Sequence, residues 1–76
     1  MCITLYSNDG CSYCRRAKTL LAKRALPYHE IDLTMDQNGR DELVRRTGCM
    51  TFPQVIVDGR AIGGFRELEL FVRGLA

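Results

Sequence analysis

Residues 2–26 read CITLYSNDGCSYCRRAKTLLAKRAL, and the meaning of Cys11 and Cys14 comes from what flanks them. Cys2 to Tyr6 alternates in polarity and carries β-branched residues, the pattern of a short strand. Ser7, Asn8, Asp9 and Gly10 are four turn residues in succession, so that strand ends near residue 7. From Ser12 to about Leu26, Cys14, Ala17 and Leu21 recur at i, i+3 and i+7 with Leu20 beside them. Arg15, Arg16, Lys18, Lys23 and Arg24 fill the outer positions, which makes the segment an amphipathic helix, and Pro27 stops it. Tyr28 to Leu33 then alternates as a second strand. Strand, helix and strand in this order form a βαβ unit with parallel strands and a right-handed crossover, and the Cys-x-x-Cys pair stands at its first strand-to-helix junction.

The remainder of the chain extends that unit. A polar stretch beginning at Asp36, with Leu43 and Val44 toward its middle and Gly48 at its end, reads as a second helix closed by a glycine cap. Gln54 to Val57 is a β-branched run, Asp58-Gly59 is a two-residue hairpin signal, and Arg60 to Ile62 pairs back before Gly63-Gly64 breaks the strand. Phe65, Leu68, Val72 and Leu75 share one face of a closing helix, with Glu67 and Glu69 near its positive end. The expected fold is therefore α/β, in the order βαβαββα: a four-stranded mixed sheet with helices on both faces.

Seventy-six residues leave room for one domain, spanning 1–76, and one small core. With 46% hydrophobic and 26% charged residues, the chain is neither disordered nor fibrous. A net charge of +2 is too balanced for nucleic acid to be the main partner. No apolar run approaches the length of a membrane span, and the opening residues do not have the pattern of a signal peptide. The expectation is a cytoplasmic chain, in which cysteines serve chemistry or metal binding rather than structural disulfides. Zinc would need four ligands. The other candidates, Cys2, Cys49 and His29, are not paired at ligand spacing, so the redox reading of the Cys-x-x-Cys stands and no metal ligands are assigned.

That reading divides the two thiols. Three residues apart on a helix, their Cβ atoms lie about 5–6 Å from each other, near disulfide distance. The free amides of a helix start favour negative charge and lower a thiol's pKa, which makes Cys11 an available thiolate, and Arg15 and Arg16 add positive charge nearby. Cys14 points into the first turn and is shielded. Cys11 is then the attacking nucleophile and Cys14 the resolving thiol.

The chain resembles a glutaredoxin, a minimal member of the thioredoxin fold. The resemblance rests on Tyr6-Ser7 followed by Cys11-Ser12-Tyr13-Cys14, then Thr51-Phe52-Pro53-Gln54, Asp58-Gly59 and Ile62-Gly63-Gly64, in order and at matching spacing over nearly the whole chain. It implies a glutathione-dependent thiol–disulfide oxidoreductase that reduces protein disulfides and glutathione mixed disulfides. It also implies a cis peptide before Pro53, which would lie against the cysteine pair, and a glutathione groove lined by Thr51, Phe52, Gly64 and Phe65, with Tyr13 flanking the nucleophile. The implied partners are glutathione and disulfide-containing or glutathionylated proteins, with no nucleic acid or membrane.

Several positions depart from the family pattern. Ser12 replaces the usual proline between the cysteines, as in glutaredoxins able to hold a [2Fe-2S] cluster between two subunits with two glutathiones. The protein is expected to be a monomer unless such a cluster bridges two copies. Asn8 and Cys49 stand where the family commonly has basic residues that bind the glycyl carboxylate of glutathione. Near the double glycine only Glu67 fits the role of holding the γ-glutamyl amine. The missing cations leave open a redoxin recharged by thioredoxin reductase. Of the remaining residues, Cys2 is expected in the core, Cys49 in a loop, and His29 in solvent on an edge strand. The basic outer face of the first helix is a solvated face that could also steer acidic substrates.

Overall fold

The computed structural model describes residues 1–75. Its sheet is built around β1 (Ile3–Ser7), which pairs in parallel with β2 (His29–Asp32) on one side and antiparallel with β3 (Gln54–Val57) on the other. An Asp58–Gly59 turn with positive φ at both residues returns β3 into β4 (Arg60–Gly63), with Val57 opposite Arg60. This is the backbone that a two-residue hairpin needs, and glycine takes it without a Cβ penalty. The strand order is β2-β1-β3-β4, so the two inner strands are β1 and β3. All four residues of β3 are buried while all four of β2 are exposed.

Alternation along β1 assigns the two faces. Ile3 and Leu5 join Val55 and Val57 under α1 (Ser12–Lys23) and α3 (Phe65–Arg73), whose Ala17, Leu21, Leu68 and Val72 complete the main core. On the other face Ile56 meets Leu33 and Leu43, the latter from α2 (Gln37–Thr47), with Tyr6 and Phe52 packed against them. Helices thus cover both faces in the order β1, α1, β2, α2, β3, β4, α3.

Four expectations are corrected. The first helix ends at Lys23 and not near Leu26, because Ala25 adopts φ 54° and the amides of Leu26 and Ala25 bond back to the carbonyls of Leu21 and Ala22. That is a Schellman closure with alanine in the left-handed position, completed before Pro27 can act. The second strand is narrower than Tyr28 to Leu33. Cys2 is exposed, not core: it precedes β1 and has the phase of Thr4 and Tyr6, and its backbone bonds to Asp58. Leu75 lies beyond the end of α3 and is 41% exposed, so Phe65, Leu68 and Val72 continue the face without it. The caps otherwise fall where the sequence puts them. Asp36 accepts from the amide of Gly39 at the start of α2, and Gly48 closes it in the left-handed region.

Candidate active site

The turn from β1 delivers Cys11 to the N-cap of α1, with extended backbone, and its Sγ accepts the amide N–H of Cys14 at 3.1 Å. One of the free donors at the helix start is therefore spent on this sulfur. Cys11 is partly exposed. Cys14, one turn on, is 2% exposed on the face that also buries Ala17 and Leu21. Burial, and after it the hydrogen bond with Cys11, push the Cys14 thiol up to about 11. The two thiols thus differ in access and in surroundings: one open at a helix start, the other covered and held protonated at neutral pH.

A groove of about 470 Å³ runs between three segments, one of them the opening turns of α1 that follow Cys11. The helix α1 supplies Tyr13 and Arg16, and the loop entering β3 supplies Thr51, Phe52 and Pro53 across a cis Phe52–Pro53 peptide. Gly64 and the first turns of α3 supply the third wall with Phe65, Arg66 and Glu69. Tyr13 is 51% exposed, and its ring lies 5.7 Å from that of Phe65. The Arg16 guanidinium lies 5.1 Å from the Tyr13 ring and 5.0 Å from the Phe65 ring, within cation–π range of both. The groove is a half-apolar trough with aromatic walls, two arginines and one carboxylate.

Tyr13, Thr51, Phe52, Pro53, Gly64 and Phe65, singled out from the sequence, all border this groove. Glu67 does not. Its carboxylate turns back to accept the Gly64 amide at 2.8 Å and forms the acidic half of a capping box at the start of α3. Asn8 lines a separate polar cavity, and Cys49 lies in the loop after α2, beside a small cavity formed mainly by that helix. Arg16, Arg66 and Glu69 are groove residues that the sequence did not assign to the groove. The one legible signal was the i, i+3 spacing of Tyr13 and Arg16, which places them on one helix face. Among the described residues no three His, Cys, Asp or Glu side chains cluster as a metal site, and no helix is long and apolar enough to cross a membrane.

The glutaredoxin family model matches residues 3–62. The chain belongs to the glutaredoxin family. Glutaredoxin 3 of Escherichia coli K12 is 33% identical over 66 residues, covering 87% of this chain and 80% of that protein. A glutaredoxin of Pseudomonas aeruginosa is 32% identical over 71 residues, covering 93% and 84%. Among solved structures, a buckwheat glutaredoxin–glutathione complex superposes with a TM-score of 0.84 at 29% identity, over 95% of this chain and 68% of that one. As a glutaredoxin, the chain is a thiol–disulfide oxidoreductase with the thioredoxin fold.

Proposed function

We propose that the protein uses glutathione to reduce glutathionylated proteins and protein disulfides, with Cys11 as nucleophile and Cys14 as resolving thiol. The observation that carries this reading is the N-cap position of Cys11, whose sulfur accepts the Cys14 amide at the head of the helix whose Tyr13 and Arg16 wall an aromatic, arginine-bearing groove. The Cys11 thiolate attacks the glutathionyl sulfur of a mixed disulfide, and the protein thiol departs. A second glutathione thiolate attacks the Cys11–glutathione bond, forming glutathione disulfide and restoring Cys11. With a protein disulfide, Cys11 forms a mixed disulfide with the substrate and Cys14 releases it.

Glutathione has two carboxylates and one ammonium along an extended tripeptide, and the groove offers charges of the complementary sign. Arg16 and Arg66 suit the carboxylates, Glu69 suits the ammonium in the role the sequence suggested for Glu67, and Phe52 offers backbone for strand-like pairing. The glutathione complex of the buckwheat relative supports the same ligand. Such exposed charge contacts contribute about 0.2–1 kcal/mol each. The groove thus gains cations from α1 and α3 that positions 8 and 49 do not provide. The protein is read as a monomer.

A coupled turnover assay on one glutathionylated peptide tests the reductant. Turnover is expected with glutathione plus its reductase and not with thioredoxin reductase. Turnover with thioredoxin reductase alone would assign the protein to the other reductant. A coloured, glutathione-dependent dimer without turnover would favour cluster carriage instead.

A further inference from the structure

The two thiols border a polar cavity of about 170 Å³, walled by residues other than those of the aromatic groove. Here Cys11, Cys14 and Lys18 face Glu30 and Asp32 of β2 and Ser7 at the end of β1. The arrangement follows from register and helix period. Glu30 pairs with Leu5 in the parallel ladder and so projects from the sheet face that α1 covers. Lys18 stands four residues after Cys14, on the same side of the helix. Glu30 Oε2 accepts from Ser7 Oγ at 2.7 Å and from Lys18 Nζ at 3.0 Å, and Ser7 is buried. The ammonium is held by a carboxylate that is itself fastened to the sheet. Asp32 is engaged by the amide and hydroxyl of Thr34, and Asp9 and Arg15 are the other charged groups around the cavity.

We propose that Lys18 is a positioning residue for the second half of the exchange: its ammonium, fixed by Glu30 and Ser7, favours the thiolate of Cys14 when Cys14 must attack. The proposal rests on the reading of Cys11 as nucleophile and Cys14 as resolver. Cys14 loses its proton to solvent, and its sulfur attacks Cys11 Sγ within the mixed disulfide. The Cys11–Cys14 bond forms, the bond from Cys11 to the substrate sulfur breaks, and the departing thiolate is protonated by water. The cysteine pair is oxidised and the substrate sulfur reduced. In the resting protein burial and the hydrogen bond with Cys11 push Cys14 up, while a backbone hydrogen bond at Asn8 and, after it, the Lys18 charge pull it down. Once Cys11 is tied in a mixed disulfide its contribution is gone, leaving the Asn8 backbone and the Lys18 cation to act against burial. The hydrogen bond to Glu30 raises the pKa of Lys18, so the cation persists across the working pH range.

In a Cys2→Ser/Cys49→Ser background, a coloured aromatic disulfide such as dithiobis-nitrobenzoate releases one thiolate when Cys11 attacks and a second when Cys14 closes the ring. The second release is expected to be about fivefold slower in Lys18→Met at neutral pH and within about twofold of the parent in Lys18→Arg. With Cys11→Ser added, alkylation of the single remaining Cys14 is expected to titrate about 0.7 pH unit higher in Lys18→Met, the same fivefold effect. An unchanged second release in Lys18→Met overturns the proposal. So does a slower release with unmoved Cys14 titration, or Lys18→Arg as slow as Lys18→Met, since either marks a packing effect. A first release that survives Cys11→Ser removes the nucleophile assignment on which the proposal rests.

Discussion

Arg16 connects the helix that presents the thiols to the groove that the proposed ligand would occupy. Its guanidinium is close to two rings, so its side chain is partly ordered before any ligand arrives, and an arginine held this way loses less freedom on binding. Arg16→Gln should raise KM for a glutathionylated peptide about two- to fivefold with kcat unchanged, the signature of binding lost equally from ground and transition states. High salt should narrow the gap between variant and parent. A fall in kcat at constant KM would place Arg16 in the chemical step instead. Glu67 is expected to behave in the opposite way. Glu67→Ala should leave KM unchanged and lower stability by about 1 kcal/mol, because its carboxylate caps α3; a several-fold rise in KM would return it to the groove. The thiol pair was legible because a helix start and a three-residue spacing are local facts. Which of many surface charges borders a groove is set by how α1 and α3 approach each other, and periodicity carries no such information.

At the scale of elements, the left-handed residue that ends α1 is an alanine. Such a residue costs roughly 1–2 kcal/mol relative to glycine at the same φ, part of which glycine gives back as chain entropy in the unfolded state. Ala25→Gly should therefore stabilise the protein by about 0.5 kcal/mol, read from the midpoint of urea unfolding at unchanged slope. Destabilisation would mean that the Schellman closure does not form in solution. Gly63 makes the converse case. At φ 122°, a Cβ there would stand 2.7 Å from Glu67 Cγ, so Gly63→Ala must both strain the backbone and dislodge the cap of α3. A loss of more than about 1 kcal/mol is expected, and a neutral substitution would contradict the cap geometry. The same elements show what a sequence conveys. Asp36, Gly48 and Asp58–Gly59 mark their boundaries with side chains suited to the backbone there. Ala25 carries no such mark, so the end of α1 was placed at Pro27, the next visible signal.

The whole molecule depends on a small core divided by the sheet. For this length a stability of roughly 4–11 kcal/mol is ordinary, and Leu68→Ala, at a fully buried position under α3, should remove about 2–5 kcal/mol of it. A melting temperature lowered by at least about 10 °C is the expected result; a shift of a degree or two would contradict the placement of Leu68 in the main core. Acid should weaken the fold in part through Glu30, whose carboxyl is held below its ordinary value of 4.5 first by Ser7 and then by Lys18. The folded state then binds fewer protons than the unfolded one, so this contribution is complete above about 4.5 and fades as pH falls through the lowered value. Melts of parent and Glu30→Gln should accordingly converge in acid, whereas a constant gap would show no linkage. Face assignment was legible from alternation in β1 and from helical stripes, while the exposure of Cys2 was not, because it precedes β1 and has the phase of Tyr6, which packs with Leu43 of α2 at the other end of the strand. The division of labour between the thiols is tested most directly by turnover of two substrates, a glutathionylated peptide and a protein disulfide, by Cys11→Ser and Cys14→Ser, each with glutathione and its reductase. Cys11→Ser should be inactive on both, and Cys14→Ser should keep the first activity and lose most of the second. Activity surviving in Cys11→Ser, or equal loss of both activities in Cys14→Ser, would contradict the account.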